Sequence, residues 1–159
     1  MLRRLVILRH GRTAWNAERR YQGQEDPPLD QVGLAQALES AALIAAMDPD
    51  LLVSSDLRRA KQTAEKIAAL TGQELMYDTR LRERHLGHWQ GLTRSQEQAR
   101  YPEEFADRLA GRDVTRRGGE SRQEVATRAV KALGELPEVE LTVLVSHGAT
   151  SMCLAAALL

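Results

Sequence analysis

Hydrophobic positions along this chain follow two periods. Leu5-Val6-Ile7-Leu8 is a short unbroken apolar run ending at Arg9-His10-Gly11, the pattern of a buried strand feeding a polar loop. Leu34, Ala37, Leu38, Ala41, Ile44 and Ala45 then recur at helical spacing behind Asp30, a residue suited to cap a first turn. Asp48-Pro49-Asp50 stops that helix, because proline disfavours helix in the residue before it. Leu51-Leu52-Val53 predicts a second strand running into Ser54-Ser55-Asp56, and Leu57, Ala60, Ala64, Ile67, Ala68 and Leu70 predict a second helix closed by Gly72. Leu75-Met76-Tyr77 reads as a third strand. Residues 79 to 119 are less regular, with short helices expected over 95–100 and 103–109. Val125, Ala129, Val130, Leu133 and Leu136 predict a helix ended by Pro137; residues 141–145 form the last strand, delivering Ser146-His147-Gly148, and residues 149–158 return to helix.

Strands alternating with helices predict an α/β fold around a mostly parallel sheet. No internal repeat or linker breaks the pattern, and 159 residues fit one domain, 1–159. Arg9-His10-Gly11, residues 54–59 and Ser146-His147-Gly148 all sit at the carboxyl ends of predicted strands. In open α/β sheets that edge is where ligands bind.

Charge and composition narrow the chemistry. With 22 basic and 22 acidic residues, the chain has no general electrostatic grip for nucleic acid or an acidic membrane. Cys153 is the single cysteine, which excludes internal disulfides and a cysteine-built zinc site. The apolar run at residues 5–8 is too short for a signal-peptide core, and no stretch approaches the ~20 apolar residues of a membrane span, so a soluble, cytoplasmic location is expected. The basic residues are 19 Arg and 3 Lys. That excess reads either as coding bias or as oxyanion binding, since guanidinium presents a planar fork matched to phosphate; position decides between them.

His10 and His147 each follow a hydrophobic run and precede a glycine, which permits close approach and offers an unhindered N–H to an anion. Arg9 and Arg12 disfavour imidazolium at His10 and keep the ring in the neutral form a nucleophile requires. They also repel a cation, and no carboxylate or histidine sits at ligand spacing from His10, so a metal site is disfavoured. Arg58-Arg59 opens a helix, where backbone N–H groups favour anions, and only one of two adjacent residues can face a pocket. Glu83 lies in a segment too polar for core, either as a surface charge or as a general acid near a phosphate site. The dinucleotide-binding, P-loop, serine-elbow and zinc-helix motifs are all absent.

Five blocks in order carry a resemblance: Leu8-Arg9-His10-Gly11-Arg12-Thr13 with Asn16; Ser54-Ser55-Asp56-Leu57-Arg58-Arg59-Ala60 with Thr63-Ala64; Leu81-Arg82-Glu83; Gly118-Gly119-Glu120-Ser121; and Ser146-His147-Gly148. Together they resemble the histidine phosphatase superfamily. The resemblance implies a phosphoglycerate mutase-like fold of three layers, with helices on both faces of the sheet. It implies His10 as the nucleophile that becomes phosphohistidine, Glu83 as proton donor, and Arg9, Arg59 and His147 on the phosphoryl oxygens, with Arg59 favoured over Arg58. Asn16, Gln22, Gly23, Arg12 and Gly148 complete the implied substrate-binding set, with no metal and no cofactor. The short interval between the Glu83 and Gly118 blocks is similar to the compact phosphatases; a phosphoglycerate mutase and a non-catalytic phosphate-binding module are the alternatives. Further matches, among them Gln22-Gly23-Gln24, residues 78–83 and Trp89-Gln90-Gly91-Leu92-Thr93, are similar to the actinobacterial glucosyl-3-phosphoglycerate phosphatases. The implied partner is a small phosphate ester, with no nucleic acid or membrane and with a homodimer left open. Members of the superfamily continue well past the second histidine block, so a missing C-terminal segment is an expectation for this chain.

Overall fold

The computed structural model describes residues 4–115 and 117–159. Its sheet has four parallel strands: β1 (Arg4–Arg9), β2 (Leu51–Ser54), β3 (Leu75–Tyr77) and β4 (Leu141–Ser146), in the order β1-β4-β2-β3. The last strand therefore inserts between the first two, and Arg9 pairs with Ser146 while Ser54 pairs with Val145. This register brings the residues after β1, β2 and β4 to one edge.

The runs at β1, β2 and β4 are apolar without interruption because both faces of the sheet are covered. Side chains alternate between faces. Val6, Leu8, Leu52, Val143 and Val145 point to a cluster with Ala41, Ile44, Ala60, Ala64 and Ile67, from α2 (Gln31–Ala45) and α3 (Arg58–Thr71). Leu5, Ile7, Val53 and Leu144 point to the opposite cluster, with Leu81, Ala129, Ala132, Leu133 and Leu154. The helices there are α6 (Arg122–Gly134) and α7 (Gly148–Leu158). Three layers result, as the periodicity and the resemblance predict.

The helix limits follow local chemistry. Asp30 accepts from the Gly33 amide and caps α2, and Gly72 closes α3 in a left-handed conformation at φ 69°. Within α2 the buried stripe is Gly33, Ala37, Ala41 and Ile44, so the expected core residue Leu38 is instead 56% exposed. Three short helices complete the fold: α1 (Ala14–Ala17), α4 (Arg94–Arg100) and α5 (Pro102–Leu109). No helix among the described residues is long and apolar enough to cross a membrane.

Candidate active site

The β1 strand delivers His10 into a pocket of about 390 Å³ lined by Arg9, His10, Gly11, Arg12, Asn16 and Gln36. The loop holding His10 is pressed against the first turn of α2. A Cβ on Gly33 would lie 2.0 Å from the Arg12 carbonyl oxygen, so only glycine permits this approach. His10 is buried, and its Nδ1 lies 2.6 Å from the Gly11 carbonyl oxygen. A carbonyl only accepts, so Nδ1 carries the proton and Nε2 keeps a lone pair. Burial first, then the charges of Arg59 and Arg9, bring the His10 pKa from its ordinary 6.5 to about 3, against an opposing pull from the Gly11 carbonyl. The ring is a neutral nitrogen base at any physiological pH.

A depressed histidine pKa also affects stability. Between pH 6.5 and 3 the unfolded chain binds a proton at His10 that the folded chain refuses, so stability is lost as pH falls through that window and is fully present above it. The slope reaches about 1.4 kcal/mol per pH unit for one such group. Chemical denaturation at pH 7 and pH 5 should show a larger drop for the parent than for His10→Ala.

Arg59 comes from the first turn of α3 and is 1% exposed, whereas Arg58 is exposed. Its Nη1 and Nη2 donate to the Glu25 and Gly23 carbonyls at 2.7 Å each, and its Nε donates to His10 Nε2 at 3.3 Å. Burial, with a smaller contribution from Arg9, lowers the guanidinium pKa to about 10, while Glu83 and Asp26 pull it upward; the group stays charged at neutral pH. Gly23 itself sits at φ 53°, and a side chain there would run into Gln90. Arg9 is exposed and lies against Gly148, whose Cβ would stand 3.8 Å from the Arg9 guanidinium carbon. Arg12 lines the same pocket, but its Nε is paired with Asp30 at 2.7 Å. Its charge is therefore already partly met.

His147, the N-cap of α7, is fully buried with its ring centroid 5.1 Å from that of His10. Burial, then Arg59 and His10, hold its pKa well below the usual histidine range. The amide groups of Asn16 and Gln22 are oriented by Thr13. The Thr13 backbone N–H donates to Asn16 Oδ1 at 3.0 Å, and the Thr13 hydroxyl donates to Gln22 Oε1 at 2.7 Å. Both amides thereby keep their NH2 groups for another acceptor. Glu83 lies at the start of α7, accepting from the Ala149 and Thr150 amides at 3.2 and 3.1 Å, with the Thr150 hydroxyl 3.2 Å away and donating to the Arg82 carbonyl at 2.8 Å. Arg9, His10, Arg12, Asn16, Arg59 and His147 thus lie about the carboxyl edge of the sheet, with Glu83 at the first turn of α7, while Arg58 faces away. Thr13, Ser55 and Thr63, which the sequence blocks contain without a role, also belong here, Thr63 accepting from the Gly11 amide at 3.1 Å, and so does Thr150, which sequence reasoning did not name. Thr13 and Asn16 form a reciprocal capping box, a spacing visible in the sequence.

Arg9, His10, Arg12 and Asn16 line the pocket, Arg59 and the neutral His147 ring stand against His10, and Gly148 at the start of α7 lies against Arg9, a set suited to a tetrahedral oxyanion and to attack on it from His10 Nε2. Residues 5–159 match the family model described as histidine phosphatase superfamily (branch 1). The glucosyl-3-phosphoglycerate phosphatase of Mycolicibacterium vanbaalenii is 45% identical over 171 aligned positions, covering 99% of this chain and 75% of that protein. An Escherichia coli protein named "Probable phosphoglycerate mutase GpmB" is 38% identical over 98% of this chain and 74% of its own length. Among solved structures, a mycobacterial glucosyl-3-phosphoglycerate phosphatase in complex with VO3 superposes with a TM-score of 0.86 at 44% identity, over 99% of this chain and 80% of that one.

Proposed function

The chain belongs to the histidine phosphatase superfamily, branch 1, and on that premise we propose that it is a phosphomonoesterase working through a phosphohistidine at His10, with glucosyl-3-phosphoglycerate as substrate. The observation that carries this reading is the Nε2 lone pair of a neutral, buried His10 among fixed cations.

In the first step His10 Nε2 attacks phosphorus; the N–P bond forms, the bond to the ester oxygen breaks, and Glu83 passes a proton to the departing alcohol. Water then attacks phosphorus and gives its proton to Glu83; the N–P bond breaks, releasing inorganic phosphate and restoring His10. Arg9, Arg59, His147, Asn16, Gln22 and the Gly148 amide hold the phosphoryl oxygens through both steps. Phosphoryl transfer asks for positioning and charge stabilisation above all, which fixed guanidiniums supply. Metal independence is proposed on this ground.

The leaving group is expected beside Glu83. There Gln24, His85, Glu120 and Glu124 line an open depression of about 360 Å³, with Gln24 Nε2 donating to the Glu83 carbonyl at 3.1 Å. Polar side chains of both hydrogen-bonding senses suit a polyhydroxylated alcohol, which supports the glucosylated substrate over phosphoglycerate alone.

The test is phosphate release in excess EDTA from glucosyl-3-phosphoglycerate, 3-phosphoglycerate and p-nitrophenyl phosphate. Preference for the glucosylated ester is expected. Release from p-nitrophenyl phosphate alone would remove that substrate, and isomerised product without free phosphate would indicate a mutase. Glu83→Gln should lower kcat on alkyl phosphates by about 10²–10⁴-fold. With p-nitrophenyl phosphate, whose leaving group needs no proton, the same variant should show a stoichiometric burst of p-nitrophenol followed by slow turnover.

A further inference from the structure

We infer that Ser55 is a positioning residue that fixes the proton of His147 on Nδ1, so that this ring offers the phosphoryl group an N–H and never a lone pair. The inference rests on the phosphatase reading only for its rate effects. Ser55 follows β2, is fully buried, and places its Oγ 2.8 Å from His147 Nε2. The Leu57 amide donates to the same oxygen at 3.3 Å. Among the described residues Ser55 Oγ has these two partners. An oxygen that already accepts an amide N–H has its own hydrogen left to donate, and the acceptor within reach is His147 Nε2. Nε2 then carries the lone pair and Nδ1 the proton.

The opposite tautomer is disfavoured at both ends of the ring. Nε2–H would give Ser55 Oγ a second donor and leave its hydroxyl hydrogen buried with nowhere to go. Nδ1 would be a bare lone pair. That atom is buried and has no hydrogen-bond partner of its own, on a ring packed against His10. A phosphoryl oxygen arriving there would meet repulsion from a lone pair and a hydrogen bond from an N–H. His10 and His147 are thus the same Nδ1–H tautomer used in opposite senses. The Gly11 carbonyl occupies the N–H of His10 and leaves the lone pair on Nε2, where the long 3.3 Å bond from Arg59 Nε must yield before attack, whereas the Ser55 hydroxyl occupies the lone pair of His147 and leaves its N–H for binding.

Nitrogen-15 spectra of the histidine rings test this directly, and they read out whether or not the chain turns over. His147 in the parent should show a pyrrole-type Nδ1 and a pyridine-type Nε2, with the Nδ1 proton shifting on addition of inorganic phosphate. Ser55→Ala should lose that fixed pattern and lower kcat by about 10–100-fold, with a smaller effect on KM. Ser55→Thr, which keeps the hydroxyl, should restore both the pattern and the rate. An Nε2–H tautomer in the parent, or an unchanged tautomer in Ser55→Ala whatever its rate, overturns the inference. Loss of phosphatase activity in the parent, with the Nδ1–H pattern present, would count against the proposed reaction and leave the tautomer assignment standing.

Discussion

Replacing His10 with alanine should abolish phosphate release, by at least ~10⁴-fold, because the variant loses the atom that forms the covalent intermediate. The pocket should survive. His10 contributes one ring whose partners are the Gly11 carbonyl and the Arg59 Nε, and removing a neutral imidazole strands no charge. Inorganic phosphate should therefore still bind His10→Ala, which separates chemistry from capture at this site. Acid-labile phosphate trapped on the parent and absent from the variant would locate the intermediate. Unchanged turnover in the variant would remove the covalent route.

Arg59→Ala should be the next most damaging change, lowering kcat/KM by about 10²–10³-fold and raising the inhibition constant of inorganic phosphate. Its guanidinium does two jobs at once. It faces His10, and it also ties down the Gly23 and Glu25 carbonyls that shape the pocket wall. Truncation leaves the buried Gly23 carbonyl without its donor, at a cost of about 1–3 kcal/mol. Lysine should not rescue the loss, since one ammonium cannot reproduce a planar fork addressing three acceptors. Arg58→Ala should stay within about threefold of the parent, because Arg58 is exposed and the contact to Asp26 comes from its backbone amide. Steady-state kinetics on the three variants decides the order; a larger effect at Arg58 would place the wrong residue in the pocket.

Much of this arrangement was legible in the sequence because it rests on local rules. Uninterrupted apolar runs at 5–8, 51–53 and 141–145 identify strands buried on both faces, and the polar residues after them must then share an edge. Asp30 and Gly72 mark helix ends by their side-chain chemistry and backbone freedom. What was not legible depends on distant partners. Leu38 fits the helical stripe of α2, yet the buried stripe is the narrower Gly33-Ala37-Ala41-Ile44 set, in which Gly33 lies against the His10 loop while Ala41 and Ile44 pack with Ala60, Ala64 and Ile67 of α3. The α1 helix is only four residues, too short to form on propensity, and is held by the Thr13–Asn16 box. Ser55 gives no sign of its role in sequence, because its partner lies 92 positions away.

The position of β4 has a consequence for how an active molecule comes into being. Arg4–Arg9 pairs with Leu141–Ser146, and β2 reaches β1 only through that same strand. A nascent chain that has emerged as far as α6 thus has its nucleophile but no strand to hold it in place beside Arg59. Catalytic competence must arise in one late, non-local event rather than accumulate during synthesis, and the closure of so long a loop is the step expected to limit folding.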